Sequence, residues 1–175
     1  MAKLLSATPA DQTVLYLTPR LLSEHNIQAL ALDFDGVLAP HGVDQLSPEI
    51  DNWLQNCCQL VGAEKIVILS NRPTAARKEM LDRCFPGIRL VTGVRKKPYP
   101  DGLHKTAELT GIPPENILMA DDRLLTGCLA AVLAGAVPFY IRKPDVRIKG
   151  NLRAELFFML LRYLERGYIQ LIRWI

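Results

Sequence analysis

The sequence feature that most constrains the fold is an apolar run that ends at two carboxylates. Residues 27–36 read Ile-Gln-Ala-Leu-Ala-Leu-Asp-Phe-Asp-Gly, and a near-continuous apolar stretch of this length is typical of a strand buried on both faces of a parallel sheet. Because side chains alternate along an extended chain, Asp33 and Asp35 point the same way and Phe34 points into the protein. Two acids held this close repel each other, so we expect a cation or a shared proton between them.

Strand and helix patterns alternate after this run. Apolar segments at 65–69, 88–91, 116–120 and 137–141 predict four further strands, and helical stripes lie between them. This alternation predicts parallel strands joined by right-handed crossovers, with helices on both faces of the sheet. The predicted fold class is therefore α/β, with three layers and a Rossmann-like sheet. At 175 residues the chain is most simply one domain, 1–175.

Polar side chains follow the predicted strands. Ser70 and Asn71 come after the second strand, Asp121 and Asp122 come after the fourth, and Lys97 lies in a loop between them. Because the carboxyl ends of parallel strands meet at one edge of the sheet, we expect these groups to converge on the first acid pair. Carboxylates from two strand ends suit a hard cation such as Mg²⁺, and a hydroxyl and an ammonium supply donors for phosphoryl oxygens. One acid of the first pair is placed to attack phosphorus, and the other to move a proton.

In this order, these residues resemble the four motifs of haloacid dehalogenase-type phosphatases. The resemblance covers about residues 27–141, and we expect this part of the chain to be the core of the domain. The matching segments are Asp33-Phe34-Asp35-Gly36-Val37, Ser70-Asn71, Lys97-Pro98 and Asp121-Asp122.

The resemblance implies a role for each of these residues. Asp33 would be the nucleophile that forms an aspartyl-phosphate, and Asp35 the general acid/base. Ser70 and Lys97 would bind the substrate phosphate, and Asn71 is grouped with them because it adjoins Ser70.

The resemblance also implies a Mg²⁺ cofactor. The ion would be held by Asp33, by the backbone carbonyl of Asp35 and by the acids of the fourth motif, Asp121 and Asp122. Asp122 aligns with the main metal ligand of that motif.

A narrower resemblance is to subfamily III, in the branch that includes phosphatidylglycerophosphate phosphatases. That branch has a fourth motif of the form Gly-Asp-Gln-x-x-Thr-Asp, whereas residues 121–127 here read Asp-Asp-Arg-Leu-Leu-Thr-Gly. Asp121 thus replaces a glycine, and Gly127 replaces the final aspartate. A paired-Asp fourth motif also occurs in the superfamily, so Asp121 is expected to compensate. The first motif departs too, with Gly36-Val37 where Asn-Thr is more usual.

The gaps between the motifs leave no room for a cap domain. The intervals 35–70 and 70–97 each accommodate one helix with a loop or a short strand. We therefore expect an open crevice that favours a bulky substrate, or a crevice covered by an oligomer partner.

The C-terminal segment 151–175 is predicted to be an amphipathic helix. Residues 142–175 hold eight Lys or Arg against three Asp or Glu, while the whole chain carries only +3. Two interpretations remain open: the helix packs on the core or in a homodimer, or it lies on a membrane surface. The apolar face comprises Phe157, Leu160, Leu161, Leu164, Tyr168, Leu171 and Ile175, and the polar face Glu155, Arg162, Arg166 and Arg173.

Composition limits the setting and the partners. Four cysteines without C-x-x-C spacing indicate a reducing compartment, and no secretory signal opens the chain. We expect a cytoplasmic protein, free or peripheral at a membrane, whose substrate is a phosphorylated lipid or small molecule, and we expect no nucleic-acid partner. The leading function is a Mg²⁺-dependent phosphomonoester hydrolase. The alternatives are a phosphoryl-accepting signalling domain and a catalytically idle scaffold on the same fold.

Overall fold

A five-stranded parallel sheet forms the centre of the molecule. The computed structural model describes residues 1–146 and 152–172. The strands lie in the order β3-β2-β1-β4-β5, and each neighbouring pair is parallel. The predicted α/β, Rossmann-like fold class is confirmed. The strands are β1 (Ala29–Leu32), β2 (Ile66–Ile68), β3 (Arg89–Leu90), β4 (Ile117–Asp121) and β5 (Val137–Tyr140).

Helices cover both faces of the sheet. Several begin at side-chain caps: the hydroxyl groups of Thr18, Ser47 and Thr74 each accept a hydrogen bond from a backbone N–H three residues further on. The helices are α1 (Ala2–Ala7), α2 (Pro19–Glu24), α3 (Pro48–Val61), α4 (Ala75–Cys84), α5 (Asp101–Thr110), α6 (Leu129–Ala134) and α7 (Leu152–Ile172).

Alternation along the strands divides the core into two layers. On β1, Leu30 and Leu32 face a cluster that includes Leu54 of α3 and Leu81 of α4. Ala29 and Ala31 of the same strand face the opposite cluster, with α5 and α6. A strand with both faces covered is apolar at every position, which explains why the run that precedes Asp33 reads as continuous.

The segment 124–134 differs from the single helix that its pattern predicts. It begins with a π-helical turn over Leu124–Cys128, and α6 follows directly. Leu124 and Cys128 pack with Leu5 of α1 and Ile169 of α7 in a third, smaller apolar cluster. None of the helices in the described part of the chain has the length and hydropathy needed to cross a bilayer.

The C-terminal helix packs on the core through charged residues. Its charged residues Glu155, Arg162 and Glu165 are buried against the rest of the protein. Ten of its apolar residues point away from the core and are between 47% and 74% exposed, whereas Ile169 is buried. Of the residues placed in this predicted helix, 151 and 173–175 lie outside the described residues. We call the following residues the outer face of α7: Leu152, Leu156, Phe157, Met159, Leu160, Tyr163, Leu164, Tyr168, Leu171 and Ile172.

Candidate active site

The polar side chains predicted to converge do so beyond the ends of β1 and β4. The strand order reverses between these two strands, and this is where open α/β sheets form their ligand-binding crevice. Asp33 directly follows β1, and its Oδ1 accepts a hydrogen bond from the N–H of Phe34 at 2.8 Å. Asp121 is the last residue of β4, and Asp122 follows it.

Lys97 joins the two strand ends. Its Nζ lies 2.9 Å from Oδ1 of Asp33 and donates a hydrogen bond to Oδ2 of Asp121 at 2.6 Å. All three side chains are almost completely buried. Burial opposes the charge on Lys97, but the carboxylates of Asp121 and Asp33 outweigh it and raise the pKa of the ammonium above its ordinary value. The cation that we expected beside the first acid pair is thus supplied to Asp33 by the protein itself.

Three carboxylates form a compact group at this edge of the sheet. Asp33, Asp121 and Asp122 each offer a carboxylate oxygen, and these atoms lie within 4.8 Å of one another. Burial, reinforced by the neighbouring carboxylates, raises the pKa of Asp33 to about 8 and that of Asp122 to about 7. Arg162 opposes the shift of Asp122, and Lys97 opposes both. Three buried acids face two cationic side chains, so this donor set fits a hard divalent cation.

Gly127 gives Asp121 the space that it occupies. A Cβ added at Gly127 would lie 2.0 Å from Oδ2 of Asp121 and 2.5 Å from its Cβ. The two departures from the phosphatidylglycerophosphate phosphatase pattern are therefore sterically coupled: the carboxylate at 121 excludes a side chain at 127.

Gly36 makes similar room for Asp122. Its φ of +81° lies in the left-handed region that favours glycine. A Cβ at this position would lie 2.5 Å from Oδ2 of Asp122. The glycine after the first acid pair thus lets the β1 loop pass close to the acids of β4.

Asp35 points toward a different partner from Asp33. Arg77 of α4 donates two hydrogen bonds to its carboxylate, at 2.8 and 2.7 Å, and a third at 2.8 Å to Asp44. The buried guanidinium also stacks over the Phe34 ring, 4.3 Å from its centroid. Side-chain oxygens of Asp35 are absent from the three-carboxylate group, so the metal role predicted for this residue is left to its backbone carbonyl.

Asn71 and Ser70 hold loops near the site. The Asn71 side chain accepts a hydrogen bond from the N–H of Lys97 at 2.9 Å and donates one to its carbonyl at 3.4 Å, which fixes the loop that carries the lysine. The Ser70 hydroxyl accepts a hydrogen bond from the N–H of Arg72 at 3.1 Å. Ser70 lines an adjoining cavity of about 210 Å³ and not the cavity above the acids, because it caps this turn.

The cavity above the acids has a volume of about 430 Å³. Basic side chains are prominent in its walls, and α7 contributes apolar ones. The lining residues are Asp33, Asp35, His41, Gly42, Asn71, Arg72, Thr74, Arg77, Lys96, Lys97, Asp122, Arg123, Thr126, Ala154 and Phe158.

Helix α7 is tied to the acids by ion pairs. The Nε and Nη2 atoms of Arg162 both lie 2.5 Å from Oδ2 of Asp122. Glu165 pairs with Arg123 and accepts a hydrogen bond from the N–H of Leu124 at 3.1 Å. These contacts explain the orientation of the helix, since turning its apolar face inward would leave Asp122 buried without this partner.

The N-terminal half of α7 borders the same cavity. Glu155 accepts a hydrogen bond from the N–H of His41 at 3.0 Å, and the His41 ring stacks on Phe158 with centroids 3.8 Å apart. The loop after β1 and the first turns of α7 thus form one wall of the cavity.

Two arginines of the site were missed by the sequence analysis. Arg77 lies four residues before Leu81, on the inner stripe of its helix, and a charge at that position signals a buried partner. Arg162 shares a helix face with Glu155, seven residues earlier, and this face was recognised as polar. Nothing in the periodicity shows whether such a face points to solvent or to a charged site.

Fold and site together define a doubly wound α/β protein with an acid and lysine cluster at its switch point. A model of the haloacid dehalogenase-like hydrolase family matches residues 12–135, more than half of the chain. The chain therefore belongs to the haloacid dehalogenase-like hydrolase family. This membership confirms the coarser part of the predicted identity and does not favour the signalling-domain or idle-scaffold alternatives. No curated protein matches the sequence.

Solved structures share the fold at low sequence identity. An uncharacterized protein from Corynebacterium glutamicum is 23% identical, with a TM-score of 0.51 over 78% of this chain and 95% of that chain. An uncharacterized protein from Listeria monocytogenes is 17% identical, with a TM-score of 0.54 over 71% and 84%. A haloacid dehalogenase-like hydrolase from Streptococcus pneumoniae is 14% identical, with a TM-score of 0.52 over 76% and 90%. At these identities the likeness concerns the fold alone.

Proposed function

We propose that the protein is a Mg²⁺-dependent phosphomonoester hydrolase that acts through an aspartyl-phosphate on Asp33. The observation that carries this proposal is the position of Lys97, whose Nζ bridges Asp33 and Asp121 at the floor of a cavity with basic walls. An ammonium at this place orients Asp33 and attracts an anionic group to it. Membership in a hydrolase family supports the same reading.

Asp33, Asp121 and Asp122 would hold the cation, together with the backbone carbonyl of Asp35. When bound, Mg²⁺ supplies positive charge that keeps these acids ionised and neutralises phosphoryl oxygens. Arg162, which pairs with Asp122, belongs to the same charge balance.

In the first step an oxygen of Asp33 forms a bond to phosphorus, and the ester P–O bond breaks. Asp35 donates the proton that the leaving oxygen takes up as it departs. In the second step water attacks the phosphorus, the bond to Asp33 breaks, and Asp35 accepts the proton of the water. Arg77 orients the Asp35 carboxyl group through two hydrogen bonds, at 2.8 and 2.7 Å, and so positions it for proton transfer.

We propose a lipid phosphate, such as phosphatidylglycerophosphate, as the substrate, in line with the subfamily III branch that the motifs resemble. The support is the apolar contribution of α7 to the cavity, through Ala154 and Phe158. Lys97 and Asn71 keep their proposed assignment to the phosphate, with Asn71 acting through the loop that it fixes. For Ser70, which lines the adjoining cavity, the assignment rests on the resemblance alone.

The test is hydrolysis of p-nitrophenyl phosphate by purified protein with Mg²⁺. We expect Asp33→Asn to abolish turnover, because the amide is not a nucleophile, and chelation to abolish it until Mg²⁺ is restored. Asp82→Asn, at an exposed ion pair of α4, is the matched control and should keep full activity. Turnover by Asp33→Asn comparable to the wild type would refute the mechanism.

The substrate proposal needs a separate comparison. Phosphatidylglycerophosphate in mixed micelles and soluble phosphomonoesters are assayed at equal concentration, and the lipid should have the highest kcat/KM. A higher value for a soluble sugar phosphate or nucleotide would overturn the lipid assignment and leave the mechanism standing.

A further inference from the structure

The outer face of α7 is a continuous apolar surface without an intramolecular partner among the described residues. Of the sixteen exposed large hydrophobic residues in the described chain, ten lie on this one helix. Over its described length, the only charged side chain at an exposed position of α7 is Arg153. At 1.5 Å per residue the surface is about 30 Å long, and an exposed apolar patch of this extent marks an interaction site.

The exposure of this surface is fixed by the contacts on the other side of the helix. Arg162 is committed to Asp122, and Glu165 to Arg123 and the N–H of Leu124. Rotation of α7 to bury its apolar side would break these buried ion pairs and remove the arginine that pairs with Asp122. The apolar surface is thus held outward by the acid cluster itself.

We infer that the outer face of α7 docks in the headgroup region of an anionic bilayer. Residues 142–175 carry eight Lys or Arg against three Asp or Glu. Two of those acids, Glu155 and Glu165, are buried against the core, and so is Arg162 among the basic residues, which leaves seven Lys or Arg against Asp145 in this stretch of the sequence. Tyr163 and Tyr168, 74% and 57% exposed, have rings of the kind that lie at membrane interfaces.

Charge favours a bilayer over a second copy of the chain. In a two-fold dimer the same patch meets itself, so the basic segment would face its own like charges. An anionic lipid surface would attract it. Because no described helix can cross a bilayer, α7 would lie along the surface with the core above it.

Docking in this manner has a consequence for the site. Ala154 and Phe158 line the cavity on one side of α7, while Leu156 and Leu160 belong to its outer face. The cavity would therefore lie about one helix diameter, roughly 10 Å, from the lipid surface. This inference does not depend on the catalytic roles proposed above.

The test is flotation of the full chain with two kinds of vesicle, phosphatidylcholine alone and phosphatidylcholine mixed with phosphatidylglycerol. We expect binding to the anionic vesicles and a loss of about 100-fold in the double variant Leu160→Gln/Leu164→Gln, since each leucine withdrawn from the bilayer costs about a factor of ten. Leu133→Gln, in α6 and 58% exposed, is the matched control and should bind as the wild type does.

Binding is measured independently of catalysis. Asp33→Asn should bind anionic vesicles like the wild type, so failure of the hydrolase proposal and failure of this one are distinguished. Thermal unfolding of each variant reports whether it is folded, and sedimentation velocity reports the oligomeric state. Equal vesicle binding by the double variant would overturn the inference. So would a wild-type dimer that binds neither vesicle and that the double variant converts to a monomer.

Discussion

Gly127→Ala tests whether Asp121 and Gly127 are coupled by space. The added methyl carbon would lie 2.0 Å from Oδ2 of Asp121, whereas carbon and oxygen atoms in contact lie about 3.5 Å apart. The carboxylate cannot move freely. It holds Nζ of Lys97 at 2.6 Å and accepts a hydrogen bond from the N–H of Arg123 at 2.8 Å. Either this buried network or the π-helical turn must be displaced.

The magnitude of the effect follows from three terms. Overpacking costs about 1–3 kcal/mol, loss of a buried ion pair costs about 3–5 kcal/mol, and alanine in place of glycine returns about 1 kcal/mol in a helix. We expect Gly127→Ala to lower the free energy of unfolding by about 3 kcal/mol. For a chain of this size the midpoint of thermal unfolding should fall by roughly 6–12 °C.

A double-mutant cycle measured by urea unfolding isolates the steric term. Asp121→Gly removes the whole obstructing side chain, so Asp121→Gly/Gly127→Ala should be more stable than the sum of the single changes by about 2 kcal/mol. Asp121→Ala/Gly127→Ala is the matched control. The Cβ of residue 121 would still lie 2.5 Å from the new methyl carbon, so this pair should show little relief. Additive single changes, or equal stability of the two double variants, would refute the reasoning.

Two further predictions concern titration and thiol reactivity. The pKa of Asp33 is raised from 3.8 to about 8 in the folded protein, so this residue contributes its full stabilisation only below about pH 3.8. With a chelator present, wild-type stability should therefore fall as the pH rises from about 3.8 to about 8. Asp33→Asn should show a smaller loss, because it lacks the part due to Asp33, at most about 1.4 kcal/mol per pH unit, and keeps the part due to Asp122, whose pKa is raised to about 7. Parallel unfolding curves for the two proteins would count against this prediction. An alkylating reagent should label the exposed Cys84 and spare Cys57, whose burial raises its pKa to about 12. Peptide mass spectrometry of the native protein measures both sites, and similar labelling would contradict the described packing.

The fold was predictable because a buried parallel strand imposes a pattern that few other structures share. Because parallel strands end at the same edge of the sheet, the residues that directly follow each strand can be expected to lie near one another. Asp33 and Asp121 could therefore be brought together from the sequence alone, and Lys97 with them. The single-domain organisation and the catalytic roles stay predictions.

The partners of the acids were less accessible to sequence analysis. Arg77 lies 42 residues from Asp35, and Arg162 lies 40 residues from Asp122. Such pairings depend on which face of a helix meets the core, and periodicity identifies the two faces without orienting them. Hydrophobicity predicts the apolar face inward, but α7 turns its charged face inward, where Arg162 pairs with Asp122.

The contact between Arg162 and Asp122 also changes what counts as the smallest working unit of this protein. The family model ends at residue 135, yet a buried acid of the site finds its arginine 27 residues beyond that point. A chain shortened to the shared family core would retain every motif residue but lose Arg162, the arginine that pairs with Asp122. Interchange of C-terminal segments among relatives is therefore not a neutral operation here. A C-terminal segment taken from a relative must carry an arginine at the position of Arg162, or Asp122 must be changed as well.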